Sequence, residues 1–181
     1  MHDCCETVGA ARTHSRRAFV RSVALGGGVA LLFGPRALAA GADILLLTCV
    51  DYRLEHQVLD YIDSMGLSEK YYHLALAGAS LAALTNQRPA WGQTFWEHLA
   101  FTLGDGKPGN QGIRKVMVLD HRNCAAYRKF LGEGVERDRA TELGVHTLYL
   151  RRLRSKIHEK HPKLEVALGL MELNGKVEDI A

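Results

Sequence analysis

The sequence predicts an α/β fold, with a mostly parallel β-sheet flanked by helices, and three observations carry that reading. Short apolar runs recur at 43–50, 71–77, 115–119 and 164–173. Segments of helical periodicity lie between them, so strands and helices alternate, as in βαβ units. The first run is apolar almost throughout, as in a parallel strand covered on both faces.

Taken in order, residues 43–50 (Asp-Ile-Leu-Leu-Leu-Thr-Cys-Val) form that first strand. Leu54, Val58, Leu59, Ile62 and Met65 then recur at helical spacing, with Gly66 as the stop. Residues 71–77 form a second short strand, ended by Gly78. A helical pattern around Trp91, Phe95, Leu99 and Leu103 closes at Gly104-Asp105-Gly106. Residues 115–119 form a third strand that ends at Asp120-His121. Residues 136–160 predict a long charged helix, with Gly144 as a candidate break. Residues 164–173 read as the last strand, and Asn174-Gly175 as a turn. Residues 41–181 show no internal repeat and no low-complexity segment.

Hydrophobic residues make up 47% of the 181 residues and charged residues 24%, close to the roughly 45–50% and ~25% of globular domains. This excludes disordered, collagen-like and disulfide-dense classes, and the length suits one domain of ~100–200 residues. The net charge of +3 belongs to residues 1–40, where Arg12, Arg16, Arg17, Arg21 and Arg36 face only Asp3 and Glu6. Residues 41–181 hold 18 basic and 18 acidic residues. A folded part without a basic excess argues against a nucleic-acid partner.

Ser15-Arg16-Arg17-Ala18-Phe19-Val20 pairs two arginines with an apolar residue two places on. A charge-free run at 22–35 and the small-residue site Ala37-Leu38-Ala39 follow. This order resembles a bacterial twin-arginine export signal, and Arg36 before the cleavage site suits one. The uncharged run has 14 residues and includes Gly26-Gly27-Gly28, short of the ~17–25 apolar residues of a spanning helix. The expected organisation is a signal peptide at 1–40, with the export machinery as its partner, and one domain at 41–181 released to the periplasm. Cleavage near Ala39 or Ala40 removes Cys4 and Cys5 and leaves Cys49 and Cys124.

Two cysteines in an oxidising compartment are compatible with a disulfide, but their neighbours point to another chemistry. In open α/β sheets, reactive groups gather beyond the carboxyl ends of the strands. The first strand runs into Cys49-Val50-Asp51-Tyr52-Arg53 and the third into His121-Arg122-Asn123-Cys124. If these strands are neighbours, two thiols, an imidazole, a carboxylate and a guanidinium share one small volume. Cys, His and Cys can fill three corners of a tetrahedral zinc site and leave the fourth open. Zinc lowers the pKa of a bound water from 15.7 to ~7. Asp51 could be aimed at the metal, and Arg53 could hold it through a two-oxygen, two-nitrogen fork. Structural zinc, two buried free thiols and a Cys–His nucleophile pair are the alternatives, the last giving Cys124 and Asp51 no role. For Asp51 and Arg53 the alternative is an ordinary surface ion pair.

Cys-x-Asp-x-Arg after one strand and His-x-x-Cys after a later one resemble the β-class carbonic anhydrases. The run Leu168-Gly169-Leu170-Met171-Glu172-Leu173-Asn174-Gly175-Lys176-Val177 also resembles that family's last strand and turn. The likeness runs from about Asp43 to Val177. It implies a parallel-sheet α/β fold, dimers or multiples of dimers, and zinc held by Cys49, His121 and Cys124. It further implies an Asp51–Arg53 dyad and reversible hydration of carbon dioxide to bicarbonate. In the family's open state the Asp pairs with the Arg, and in its closed state the Asp takes the fourth position on the metal. Hydrolysis of carbonyl sulfide or carbon disulfide, or a non-catalytic zinc-stabilised binding or structural protein, are the alternative functions for the same residues.

Three positions depart from the family pattern. Leu76-Ala77-Gly78-Ala79 keeps only the Ala-Gly of an Arg-Asn-Ala-Gly-Asn-like segment, Asp120 stands where Gly is common before the His, and Ala125 where Gly is common after the second Cys. Asp120 is a candidate acceptor behind the metal ligands. His56, His73, His98, His146, His158 and His161 lack a second ligand at a diagnostic spacing and read as surface or core residues. Arg151-Arg152-Leu153-Arg154-Ser155-Lys156 reads as a solvated helix face. Trp91, Phe95 and Trp96 read as core or dimer contacts, Tyr52 as a pocket wall or packing residue, and Gly104-Asp105-Gly106-Lys107 as a turn.

Overall fold

The structure, a computed structural model, describes residues 42–104 and 112–181. The expected leader at 1–40, with Cys4 and Cys5, and residues 105–107 of the glycine-rich turn lie outside the described residues. The strands are β1 (Ile44–Thr48), β2 (Tyr71–Ala75), β3 (Lys115–His121), β4 (Glu165–Met171) and β5 (Val177–Asp179). The helices are α1 (Glu55–Ser64), α2 (Ser80–Leu84), α3 (Pro89–Thr102), α4 (Ala125–Leu131) and α5 (Arg139–Lys160). Short 3-10 turns occupy Tyr52–Leu54 and Glu133–Glu136.

The strands form one sheet in the order β2-β1-β3-β4-β5. The first four run parallel and β5 returns antiparallel to β4. The expected α/β class with a mostly parallel sheet is therefore present, and β1 and β3 are neighbours with Thr48 opposite Leu119. That pairing brings the carboxyl ends of both motif-bearing strands side by side at one end of the sheet.

Every residue of β1 is buried, and its side chains alternate between two cores. Leu45 and Leu47 pack with Val116, Val118, Phe95, Leu99, Leu150, Leu153 and Ile157 on the face covered by α3 and α5. Ile44 and Leu46 pack with Met117, Leu119, Val58, Ile62 and Met171 on the face covered by α1. Burying one such Leu or Ile contributes about 1.5–3 kcal/mol, which is why an apolar run this continuous sits at the sheet's centre.

The structure corrects several boundaries. The long helix is unbroken at Gly144, because its buried stripe (Glu142, His146, Leu150, Leu153, Ile157) continues past that exposed residue. One exposed Gly costs only about 1 kcal/mol relative to Ala, less than the packing on either side of it supplies. The helix starts at Arg139, where the Asp138 side chain accepts from the Thr141 N–H at 2.7 Å. Helices α2 and α4 are additional to the sequence reading. They span five and seven residues, too short for their periodicity to stand out.

Candidate metal centre

Strand ends and one helix start position the donor atoms. Cys49 follows β1, His121 ends β3, and Cys124 is the residue from which α4 begins. Their ligand atoms all lie within 4.8 Å of one another. The two thiols are free and their sulfurs stand 3.9 Å apart, so no disulfide joins them. The Gly78 N–H donates to Cys49 Sγ at 3.2 Å.

His121 completes the set. Its Nδ1 is 2.9 Å from the Arg122 carbonyl, and because a carbonyl only accepts, the proton belongs on Nδ1 and the lone pair on Nε2. Nε2 is buried and has no hydrogen-bond partner among the described residues. A buried lone pair beside two thiols is costly unless something accepts it. An imidazole whose other nitrogen is fixed by a carbonyl is the usual metal-ligating arrangement. Two sulfurs and one imidazole fit zinc.

Asp51 lies at the edge of this cluster. Its Oδ1 accepts from Arg53 Nε at 2.9 Å and from the Arg53 N–H at 3.1 Å, and its Oδ2 accepts from Nη2 at 2.7 Å. Oδ2 is 3.8 Å from His121 Nε2. The expected fork is thus formed, and it stands against the ligands instead of on open surface. The same guanidinium donates to the Asn123 side-chain and backbone oxygens, both at 2.9 Å.

The His-x-x-Cys segment is braced from behind by residues the motif reading passed over. Asn123 has φ +57°, a left-handed conformation that Asn tolerates better than most residues. Its N–H donates to Glu142 Oε1 at 2.6 Å, while Glu142 Oε2 accepts from Arg122 Nη1 at 2.9 Å. Arg122, 5% exposed, also reaches Glu172, Glu178 and the Arg139 carbonyl. Arg122 and Asn123 sit inside the motif, but nothing in the sequence ties them to Glu142, which approaches only when α5 packs beside β3.

The electrostatics follow this geometry. The Cys124 thiol's hydrogen bond is the largest influence lowering the Cys49 pKa, with His121 and the Gly78 N–H adding to it against burial. The same bond, with burial, pushes Cys124 up. Arg53 holds Asp51 at about 2. For His121, burial is the largest single influence and acts downward, but Cys49, the Arg122 carbonyl and Asp51 together raise it.

Asp120 makes no hydrogen bond to Cys49, His121 or Cys124. Adjacent strand residues point to opposite faces, and Asp120 turns away from the side of His121. Its Oδ1 accepts from the Ser80 N–H at 3.0 Å, and its Oδ2 from Ser80 Oγ at 2.7 Å, Tyr127 OH at 2.6 Å and His146 Nδ1 at 3.0 Å. His146 is thus a core residue, stacked on Tyr127 at 3.8 Å between ring centroids. Burial, then Asp120, pushes the Tyr127 hydroxyl well up.

The remaining candidates stay outside the cluster. His73 Nε2 meets Thr48 Oγ1 at 2.8 Å, and His98 and His158 meet backbone carbonyls. Phe95 is core, Trp96 packs edge-on against it, and Trp91 packs edge-on against Phe130. Tyr52 is 86% exposed. Along 151–156 only Leu153 turns inward, so the basic residues form the expected solvated face. A cleft of about 310 Å³, lined in part by Ala77, Ala125, Ala126 and Trp91, opens beside the segment after Cys124. A larger one of about 910 Å³ lies along α2 and α5, and Cys49, His121 and Cys124 are not among its lining residues.

No family model matches the chain. Among solved structures, a carbonic anhydrase from Streptococcus mutans aligns with TM-score 0.46 at 16% identity, covering 78% of this chain and 84% of that one. A carbonic anhydrase from Glaciozyma antarctica aligns with TM-score 0.47 at 18% identity, covering 82% and 87%. In sequence, an uncharacterized protein of Rickettsia bellii is 34% identical over 139 residues, covering 77% of this chain and 82% of its own length. An uncharacterized protein of Rickettsia conorii is 32% identical over 139 residues, covering 77% and 72%. Identity of this extent over most of both chains means that the protein belongs to the same family as these rickettsial proteins.

Proposed function

We propose that this protein is a zinc-dependent enzyme that reversibly hydrates carbon dioxide to bicarbonate, in the manner of the β-class carbonic anhydrases its motifs resemble. One observation carries the reading. Asp51, forked to Arg53, holds a carboxylate oxygen 3.8 Å from His121 Nε2, so a fixed acceptor stands next to the three residues that would hold the metal. A purely structural zinc site would instead close with four protein ligands.

Cys49, His121 and Cys124 would hold the metal. Zinc there would act as a Lewis acid that makes hydroxide available from water near neutral pH. Asp51, with Oδ2 facing the cluster, would accept a hydrogen bond from the water or hydroxide to be activated and so orient it. Arg53 occupies both Asp51 oxygens and would keep the carboxylate from turning onto a bound metal. Val50 and Tyr52, 58% and 86% exposed, flank Asp51 and offer an apolar face for a second copy, in keeping with a homodimer or a multiple of dimers. Export through the 1–40 leader to the periplasm belongs to the same reading.

The test is zinc content and stopped-flow carbon dioxide hydration of the full chain, purified under reducing conditions, beside Cys124→Ser and Asp51→Ala. The expected result is about one zinc per chain, lost in Cys124→Ser, with turnover abolished and zinc retained in Asp51→Ala. Zinc without carbon dioxide hydration overturns the proposal. Turnover of carbonyl sulfide or carbon disulfide would then identify a related hydrolase, and no turnover a zinc-stabilised binding protein.

A further inference from the structure

Asp120 is a buried carboxylate in a position where the resembled family commonly carries glycine, and the chemistry above gives it no task. It is 1% exposed, and four donors from three different elements converge on it. Two of those elements lead directly to the sulfur ligands.

On one side, both the N–H and the hydroxyl of Ser80 bind Asp120. Ser80 ends a turn in which Gly78 has φ +87° and Ala79 has φ +40°. A left-handed alanine is strained and persists only where its surroundings over-determine it. This turn aims the Gly78 N–H at Cys49 Sγ, and a side chain at Gly78 would meet Ala126 Cβ at 3.1 Å. On the other side, Tyr127 OH binds the same carboxylate. Tyr127 lies in the first turn of α4, the helix that begins directly after Cys124. His146 brings α5 to the same oxygen and stacks on the Tyr127 ring.

We infer that Asp120 is a positioning residue for the metal centre: one buried carboxylate ties the turn that supports Cys49 to the helix that begins at Cys124, and so sets the distance between the two thiols. The inference rests on the metal reading above but concerns a residue that touches no ligand. Ser80, Tyr127 and His146 are the arms of the brace.

The test compares wild type with Asp120→Asn, Ser80→Ala and Tyr127→Phe, using zinc affinity by chelator competition and the absorption spectrum of the cobalt(II) form. Asparagine keeps the shape of Asp120 but turns an N–H₂ toward one set of donors. Asp120→Asn is expected to bind zinc at least about tenfold more weakly and to shift the sulfur-to-cobalt charge-transfer bands. Each single-hydroxyl variant should move both readouts in the same direction by less. A merely structural role would lower the unfolding midpoint of the metal-free protein and leave the cobalt spectrum alone. Unchanged affinity and spectrum in Asp120→Asn overturn the inference, and should that variant not fold, unchanged values in both Ser80→Ala and Tyr127→Phe do so. Failure of the wild type to bind zinc defeats the metal reading itself and is visible before any variant is made.

Discussion

Asp51 and Arg53 are two residues apart, yet the guanidinium of one meets both carboxylate oxygens of the other, at 2.9 and 2.7 Å. The 3-10 turn at Tyr52–Leu54 makes this fork possible by folding the Arg53 side chain back over the residue that caps it. Arg53 also reaches two oxygens of Asn123, so one side chain joins the end of β1 to the segment after β3. Lysine has a single nitrogen and cannot serve both partners in this geometry. Arg53→Lys is therefore expected to lower kcat/KM by about 10–100-fold while leaving zinc content unchanged. Unaltered kinetics would show that the fork is an ordinary ion pair.

The sheet and the meeting of Cys49, His121 and Cys124 were legible because each rests on local sequence. A short apolar run such as that around Leu45-Leu46-Leu47 has the length and continuity of a doubly covered strand, and Cys49, His121 and Cys124 announce themselves by residue type and by their place after strands. The brace around them was not legible. Glu142 reads as one more acid on a charged helix until α5 packs beside β3 and brings it to Arg122 and Asn123. His146 and Asp120 meet only through the same packing, and no periodicity encodes which acid a buried base will find. Gly144 misled in the opposite direction, since its local cost is real but small beside the buried stripe.

Acid should expose the capping of α5. The Thr141 N–H, foremost, holds Asp138 at about 2, below the roughly 3.9 of an unfolded Asp. A lowered folded-state pKa means stability that is fully present above about pH 4 and lost as pH falls toward 2. Asp51, also held at about 2, adds in the same window. The melting temperature should fall between pH 4 and pH 2 in the wild type and fall less in Asp138→Ala, which should already melt lower at pH 5. Parallel pH profiles for the two proteins would refute the linkage.

Glu142 should matter to both stability and chemistry. Glutamine in its place points an N–H₂ at either the Asn123 N–H or the Arg122 guanidinium, donor against donor, in a position whose side chain is 11% exposed. Arg122 keeps Glu172 and Glu178, so its charge is not left unpaired. The expected loss is that of an unsatisfied buried group, about 1–3 kcal/mol in urea denaturation. Because Asn123 carries two of the Arg53 contacts, turnover should fall as well. A stability loss with unchanged turnover would show that the Asn123 segment holds Arg53 without help from α5.

Gly169 tests the packing of the sheet away from Cys49, His121 and Cys124. In β4 it pairs with Leu119 on one side and Asp179 on the other. A Cβ added there would stand 2.8 Å from both Leu119 Cδ2 and Val177 Cγ1. Leu119 is 3% exposed and packed in the α1-facing core, and Val177 is β-branched with a stiff χ1, so neither can move aside freely. Gly169→Ala is expected to destabilise the protein by about 1–3 kcal/mol through overpacking, lowering the denaturation midpoint with an unchanged slope. Leu119→Val retracts one of the two clashing groups, so the double variant should recover part of the loss, giving a favourable coupling between two residues in direct contact. Strict additivity of the two single changes would mean that the sheet relieves the clash by backbone movement, not through the Leu119 side chain.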